Sequence, residues 1–203
     1  MILNHITSRS DDTNLSRRGF LAAGAAVGGG LVLSLSLPLG QSDAATADEF
    51  VPNAFIRIGS DGHIVLTMPY VQMGQGTYTS ISMLIAEELD VNLKQVWLEH
   101  APPNEKFYFN PLLGVQATGN SPSIRGARKQ LRQGGATART MLIEAAAKSW
   151  NVDAKTCRAQ DGEVTDVSTG RKLGYGELTA EAVKMLVHAD VVVKSPSTRR
   201  RKC

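Results

Sequence analysis

Residues 118–150, TGNSPSIRGARKQLRQGGATARTMLIEAAAKSW, decide the fold, because they join a dense turn to the longest regular segment of this 203-residue chain. The turn at 118–123 is rich in Gly, Ser and Pro, and the residues after it predict a helix over about 124–150. Gly134 and Gly135 are expected to loosen or kink that helix. Sparse aromatic residues and plentiful alanine and glycine favour close packing of helices on strands.

The segments on either side of this helix alternate between strand and helix patterns. Alternation of apolar and polar residues predicts short strands, and apolar residues at helical spacing predict further helices. The expected strands cover 55–58, 64–67, 96–100, 157–159 and 163–165, and the other expected helices cover 78–89 and 177–186. The order β-β-α-β-α-β-β-α predicts an α+β fold with a mixed sheet and packed helices.

The N-terminal segment has the pattern of a bacterial export signal. Two arginines in the run Ser16-Arg17-Arg18-Gly19-Phe20-Leu21 precede an uncharged stretch at 21–40, and Ala45-Thr46-Ala47 offers a small-residue cleavage site. This pattern predicts export to the periplasm by the twin-arginine machinery. An uncleaved signal that keeps the protein at the membrane is the alternative. The expected parts are a signal segment (1–47), a folded domain (48–195) and a basic, disordered tail (196–203).

Charge and cysteine content exclude several classes of function. The net charge is +3, and the basic run at 199–202 supplies four positive charges, so the folded part is near neutral and no nucleic-acid partner is expected. Cys157 and Cys203 form no C-x-x-C pair, which argues against an iron–sulfur cluster or a cysteine-ligated zinc. The four histidines show no H-x-x-x-H spacing, so no metal-ligating residue is predicted.

A first candidate binding loop consists of Gly74, Gln75, Gly76 and Thr77, immediately before a predicted helix. Glycine lets a ligand approach the backbone closely, and the free N–H groups at the helix end favour an anion. The Gln75 side chain offers two donors and an acceptor for a heterocycle edge or an oxo group. A tight turn that only caps the helix is the alternative.

A second candidate loop precedes the long helix and carries Gly119, Ser121, Ser123 and Ile124. Its hydroxyl groups, exposed amides and following helix N-terminus are suited to a phosphate or pyrophosphate. Two such loops in one domain indicate a long polar ligand held at both ends. Basic residues then recur at helical spacing, which predicts either a solvated face or a docking surface. They are Arg125, Arg128, Lys129 and Arg132.

Four segments together resemble the molybdopterin-binding subunit of the xanthine oxidase family, in its exported isoquinoline 1-oxidoreductase and aldehyde dehydrogenase branch. They are the leader at 16–21, PYVQMGQGT at 69–77, TGNSPSIRGA at 118–127 and GRKLGYGEL at 170–178. The resemblance covers about residues 16–195 and implies the N-terminal part of a larger molybdopterin-binding domain.

The resemblance implies a set of roles for the two loops. Gly74, Gln75 and Gly76 would contact the molybdenum cofactor, and Ser121, Ser123 and the backbone at Ile124 would hold its phosphate or attached cytidine nucleotide. Aldehydes or N-heterocycles would be the substrates of the full enzyme, and an iron–sulfur small subunit would accept the electrons.

The chain departs from the family in length and in its catalytic base. The family's proteins are several times longer, and their catalytic glutamate lies in a C-terminal segment with no counterpart here, so no catalytic residue is predicted. The chain is expected to be incomplete and inactive alone. The alternatives are an exported non-catalytic module that binds a pterin or nucleotide, a split subunit completed by a partner chain, and a purely structural domain.

Overall fold

The fold consists of two sheets and their packed helices, in a computed structural model that describes residues 21–25, 30–35, 54–185 and 191–195. The twin arginines, the expected cleavage site and the tail at 196–203 lie outside these residues. Within the described part, no helix is both long and apolar enough to cross a membrane.

The larger sheet has five strands in the order β1-β2-β3-β4-β5. All neighbours are antiparallel except β4 and β5, which are parallel and are connected through helix α1. The elements are β1 (Leu21–Ala25), β2 (Gly30–Leu35), β3 (Ala54–Gly59), β4 (Ile64–Met68), α1 (Thr77–Leu89) and β5 (Val96–His100), and a short helix α2 (Glu105–Tyr108) follows the last strand. This mixed sheet and its helices confirm the predicted α+β class.

Strands β1 and β2 come from the uncharged stretch that the sequence analysis predicts as part of the leader. They pair with each other, and β2 pairs with β3, where Leu31 lies opposite Ile58 and is fully buried. These strands are not among the predicted elements, because an uncharged run rich in Leu, Ala and Gly has no period-two alternation that would mark a strand. The export signal itself stays a prediction.

The second half of the chain forms a smaller antiparallel sheet in the order β6-β7-β8. Its elements are β6 (Cys157–Gln160), β7 (Glu163–Asp166) and β8 (Lys172–Gly174), followed by α4 (Tyr175–Ala182). The two strands predicted at 157–159 and 163–165 are confirmed and pair with each other as β6 and β7, whereas β8 is not among the predicted strands. The last helix begins two residues earlier and ends four residues earlier than predicted.

Helix α3 (Ser123–Trp150) packs against α1 and α4 and contributes a row of small buried side chains. Ala136, Ala138 and Ala145 are fully buried, so neighbouring elements approach the helix closely. A large share of the other core residues comes from the inner faces of β3 and β4 and from α1. They include Ile56, Ile58, Ile64, Leu66, Ile81, Ile85 and Leu89.

The sequence predicts that Gly134 and Gly135 loosen or kink the long helix. In the structure Gly135 instead allows close packing of that helix. Helix α3 is continuous over 28 residues. A Cβ on Gly135 would lie 2.8 Å from the Cβ of Glu88 and 3.6 Å from the carbonyl oxygen of Ile85. The missing side chain therefore allows the close crossing of α1 and α3.

The buried carboxylate of Glu88 joins α1, α3 and the segment 191–195. Arg132 Nε donates to Glu88 Oε1 at 2.8 Å, and Arg139 lies 3.3 Å from Oε2. The backbone N–H of Lys194 also donates to Oε2, at 3.2 Å. Glu88 is fully buried, and both arginine side chains are almost entirely so. A charge in such a place is tolerated only when it is paired and hydrogen-bonded, as here.

A second buried carboxylate, Asp166, holds the turn between β7 and β8. It accepts hydrogen bonds from the hydroxyl groups of Thr169 (2.6 Å) and Ser168 (2.7 Å) and from the Ser168 N–H (3.0 Å). Arg171 lies 3.4 Å away. These hydrogen bonds, first that of Thr169, hold the pKa of Asp166 well below its usual value.

The Glu88 cluster generates a stability prediction. Glu88→Gln keeps the shape of the side chain but leaves Arg132 and Arg139 buried without a counter-charge, so the free energy of unfolding should fall by about 3–5 kcal/mol. Urea unfolding measures the change. Glu99→Gln is the control, since its exposed pair with Arg57 should contribute less than about 1 kcal/mol. Equal losses for the two variants would contradict the assignment.

Asp166 generates a pH prediction. Its pKa is lowered in the folded state, so its contribution to stability is present above the unfolded pKa of about 3.9 and is lost as the pH falls below it. The free energy of unfolding, measured with denaturant, should therefore fall less between about pH 6 and about pH 3 for Asp166→Asn than for the unchanged chain. Parallel curves for the two proteins would refute this linkage.

Candidate functional site

The two predicted ligand loops lie next to each other in the structure. The Val71 N–H, which leads into the first loop, donates to the Thr118 hydroxyl oxygen at the start of the second, at 2.8 Å. Each loop then enters a helix, α1 or α3. The hydrogen bond therefore brings two loop-and-helix units, 47 residues apart in sequence, into one region.

The first loop exposes its backbone through its glycines. Gly74 has φ 89°, and Gly76, which caps α1, has φ 76° and ψ 17°, conformations that residues with a side chain rarely adopt. A Cβ at either position would meet no atom within 4 Å, so both face open space. Thr77 is buried as the first residue of α1, which directs its side chain away from solvent.

Gln75 uses its side chain inside its own loop. Its Nε2 donates to the Val71 carbonyl oxygen at 2.8 Å, and its Oε1 accepts from the Met73 N–H. A ligand that bound the Gln75 amide would have to replace these bonds. Gln72, which the sequence analysis does not single out, accepts from the Tyr78 N–H at 3.0 Å and so caps α1 from outside the helix.

The second loop presents the open N-terminus of α3. Asn120 and Ser121 have φ 50° and φ 55°, and the N-cap residue Pro122 provides no side-chain cap. The N–H groups of the first turn therefore have no intrahelical partner and carry the positive end of the helix dipole. Ser121 and Ile124 are exposed, Ser123 is buried, and a Cβ on Gly119 would meet open space.

The predicted basic face of α3 divides into two groups. Arg125, Arg128 and Lys129 are exposed in the first two turns. Arg132 is buried against Glu88, so it does not belong to a solvated or docking surface. Sequence spacing could not distinguish it, because its partner lies 44 residues away on another helix.

An open cleft of about 640 Å³ lies beside the loops, at the carboxyl ends of the parallel strands β4 and β5. The predicted ligand residues themselves are not in its lining, although their neighbours Met73 and Thr118 are. The His100 ring is 3.1 Å from the Tyr78 hydroxyl, and burial raises the pKa of Tyr70 to about 12. The lining is formed by Met68, Pro69, Tyr70, Val71, Met73, His100, Ala101, Pro103, Glu105, Gln116, Ala117 and Thr118.

Asn110 is a buried polar residue that sequence reasoning missed. Its Nδ2 is enclosed and has no hydrogen-bond partner among the residues that the structure describes, which costs about 1–3 kcal/mol. The signal in the sequence is weak, since Asn-Pro is an ordinary turn dipeptide.

The chemistry of the region suits an organic anion better than a bare metal ion. Within the described ranges, no three His, Cys, Asp or Glu side chains are grouped so that they could hold a metal. The groups that are available are helix N–H donors, hydroxyl groups and exposed glycine backbone, beside a partly apolar cleft. Such groups bind phosphate-bearing cofactors in many folds.

Comparisons with known proteins agree with this chemistry. The sequence model of the molybdopterin cofactor-binding domain matches residues 11–200. The chain is 34% identical to the beta chain of isoquinoline 1-oxidoreductase from Brevundimonas diminuta, over 86% of this chain and 23% of that protein. It is 25% identical to a membrane-bound aldehyde dehydrogenase from Gluconacetobacter polyoxogenes, over 85% of this chain and 22% of that protein.

A solved structure, quinoline 2-oxidoreductase from Pseudomonas putida 86, aligns with a TM-score of 0.48 and 17% identity, over 61% of this chain and 15% of that one. The chain spans less than a quarter of the length of the curated relatives described above. The match of the family model over nearly the whole chain identifies it as a member of the molybdopterin cofactor-binding domain family, within the xanthine oxidase family.

Proposed function

We propose that this chain is the N-terminal portion of a molybdenum hydroxylase large subunit and forms part of its cofactor cradle. The observation that carries the proposal is the hydrogen bond from Val71 to Thr118, which holds two glycine-containing loops and their helix N-termini beside one cleft. A ligand with a polar ring system at one end and phosphate at the other would use both kinds of group.

The residues of the two loops fit such a cofactor. Open space faces the backbone of Gly74, Gly76 and Gly119, so a ring system can approach it without meeting a side chain. The N-terminus of α3, with Ser121, Ser123 and the Ile124 N–H, offers donors for a phosphate group. Gln75 would contribute its amide once its bonds to Val71 and Met73 are exchanged, and Thr77 would position the start of α1. When bound, the molybdenum cofactor supplies the two-electron redox chemistry of hydroxylation.

The finer features of the proposal concern the cofactor, the partners and the substrates. We infer a cytidine dinucleotide form of molybdopterin, an iron–sulfur small subunit as electron acceptor, and aldehydes or N-heterocycles as substrates. Two relatives are named as an isoquinoline 1-oxidoreductase and a nicotinate dehydrogenase, and these names support heterocyclic substrates. In each case the matching protein is named as one subunit, which supports an enzyme of several chains. The twin arginines at 17 and 18 support export to the periplasm by the twin-arginine machinery.

Cofactor retention tests the cradle. The full chain is purified from a molybdenum-replete host, and released pterin is measured by fluorescence after oxidation. Gly76→Ala should reduce the retained pterin by about tenfold, because the new methyl group enters the space proposed for the ring system.

Gly170→Ala is a matched control for this experiment. Gly170 also has a positive φ, 73°, and open space at its Cβ, but it lies in the turn between β7 and β8. In both variants backbone strain should lower the free energy of unfolding by roughly 1–2 kcal/mol. Absence of pterin from the unchanged chain, or equal loss in both variants, would contradict the cradle.

Turnover tests whether this portion is sufficient for catalysis. The chain is expected to show no oxidation of aldehydes or N-heterocycles with an artificial electron acceptor, even when it retains pterin, because its sequence has no counterpart of the family's catalytic-glutamate segment. Robust activity of the purified chain would overturn this expectation while leaving cofactor binding intact.

A further inference from the structure

Strand β5 forms one edge of the larger sheet and exposes apolar side chains there. Within the part of the chain that the structure describes, it pairs with β4 alone, at the end of the strand order. Trp97 is 58% exposed and Leu98 is 36% exposed. Proteins usually protect such an edge with charges, Pro or bulges, because its free backbone groups can pair with another strand. The one carboxylate of β5, Glu99, is instead paired with Arg57 at 2.8 Å.

The free backbone groups of this edge belong to Leu98 and His100. Successive residues of a strand direct their N–H and C=O groups to opposite sides. The Ala101 N–H donates to the last residue of β4 at 2.9 Å, so the backbone groups of Trp97 and Glu99 also face β4. Those of Leu98 and His100 therefore point away from the sheet. An occupant of this edge needs backbone donors and acceptors of its own, as another β-strand has.

The two faces of β5 both carry apolar surface. Leu98 lies opposite the fully buried Leu66 but is itself partly exposed, so the core face of the sheet is left uncovered at its edge. Trp97 lies on the other face, where its ring packs edge-on against that of His63 with the centroids 5.3 Å apart. A bare peptide strand would leave much of this surface in water. The occupant that fits is therefore a strand of a folded sheet, with apolar side chains on both of its faces.

The sequence of β5 is complementary to itself. When two copies pair antiparallel about Leu98, the two Leu98 residues exchange both backbone hydrogen bonds, and their side chains meet on the uncovered core face. Trp97 then lies opposite Glu99 of the second copy, and Val96 lies opposite its His100. No two like charges are directly opposed, so nothing in the register disfavours the pairing.

Two other occupants fit the edge less well. The longer segments outside the described residues, at 1–20, 36–53 and 196–203, contain several charged residues each together with Pro or Asp, which are depleted in strands. Strand β1 at the opposite edge of another copy could also pair with β5. That arrangement would leave a free edge on every added copy, so it would not close.

We propose that β5 is the pairing surface for a second copy of this chain, in an antiparallel arrangement centred on Leu98 that joins the two larger sheets. The arrangement closes at two copies, since each copy uses its β5 edge once. A contact of five residues is small beside the about 1,200 Å² that stable interfaces bury, so we expect a dissociation constant of roughly 10–100 µM. The proposal is independent of the proposed cofactor site, because none of the predicted ligand residues lies in β5.

Sedimentation of the full chain under reducing conditions tests the pairing. The mean mass should rise from one chain toward two as the protein concentration increases through this range, and it should not exceed two. A single-chain mass at every concentration would overturn the proposal. A mass that continues to rise would also overturn it, because it would indicate open pairing of β5 with β1.

Disulfide formation tests the register and does not depend on a tight dimer. In a hydrogen-bonded antiparallel pair the two Cα atoms are about 5.5 Å apart, a distance that a disulfide spans. With Cys203 replaced by Ser, Leu98→Cys should therefore give a covalent dimer on mild oxidation. Val167→Cys is the matched control, since Val167 is exposed in the smaller sheet's turn after β7 and should not cross-link. Equal cross-linking of the two variants, or none at residue 98, would refute the antiparallel register.

Trp97→Glu tests the side-chain pairing. The new carboxylate lies opposite Glu99 of the second copy and the aromatic contact is lost, so the dissociation constant should rise by about tenfold. Val167→Glu makes the same change of charge at an exposed apolar residue outside the edge, and its dissociation constant should equal that of the unchanged chain. Circular dichroism checks that both variants fold. An unchanged dissociation constant in folded Trp97→Glu would contradict the proposal, and if this variant does not fold, the cross-linking result decides.

Discussion

The burial of Glu88 is the constraint on which the arrangement of the domain depends. The carboxylate lies in the last turns of α1, and its arginine partners lie along the middle of α3, so it fixes where the two helices cross. Gly135 permits the close approach at the same place. Since the crossing is fixed, the N-termini of α1 and α3 are also fixed, and these are the ends that carry the two ligand loops.

The parallel pairing of β4 and β5 adds a second constraint. Met68 lies opposite His100 at the carboxyl ends of these strands, and Ala101 continues the pairing with a bond to the Met68 carbonyl oxygen. The first loop leaves β4 at this point and the chain returns to it after β5, so the open cleft forms at the strand ends. Ligands of open sheets with parallel strands commonly bind there.

Much of the fold could be predicted from local sequence patterns. The features that could not be predicted depend on contacts between residues that are far apart in the sequence. The hairpin of β3 and β4, strand β5, helix α3 and the positions of both loops follow from periodicity and turn residues, which act within a few residues. The burial of Arg132, the internal bonds of Gln75 and the unpaired donor of Asn110 depend on atoms brought together by the fold. Strands β1 and β2 depend on the edge offered by β3, and a run of uncharged residues has no signal for such an edge.

The hydrogen bond from Lys194 to Glu88 has a consequence for synthesis of the protein. The two residues are 106 positions apart, and the chain emerges from the ribosome with its N-terminus first. Helix α1 is therefore complete long before the backbone N–H that donates to its buried carboxylate exists. The last hydrogen bond to Glu88 can form only after residue 194 has been synthesised. No shorter nascent chain can therefore complete the hydrogen bonding of this buried carboxylate.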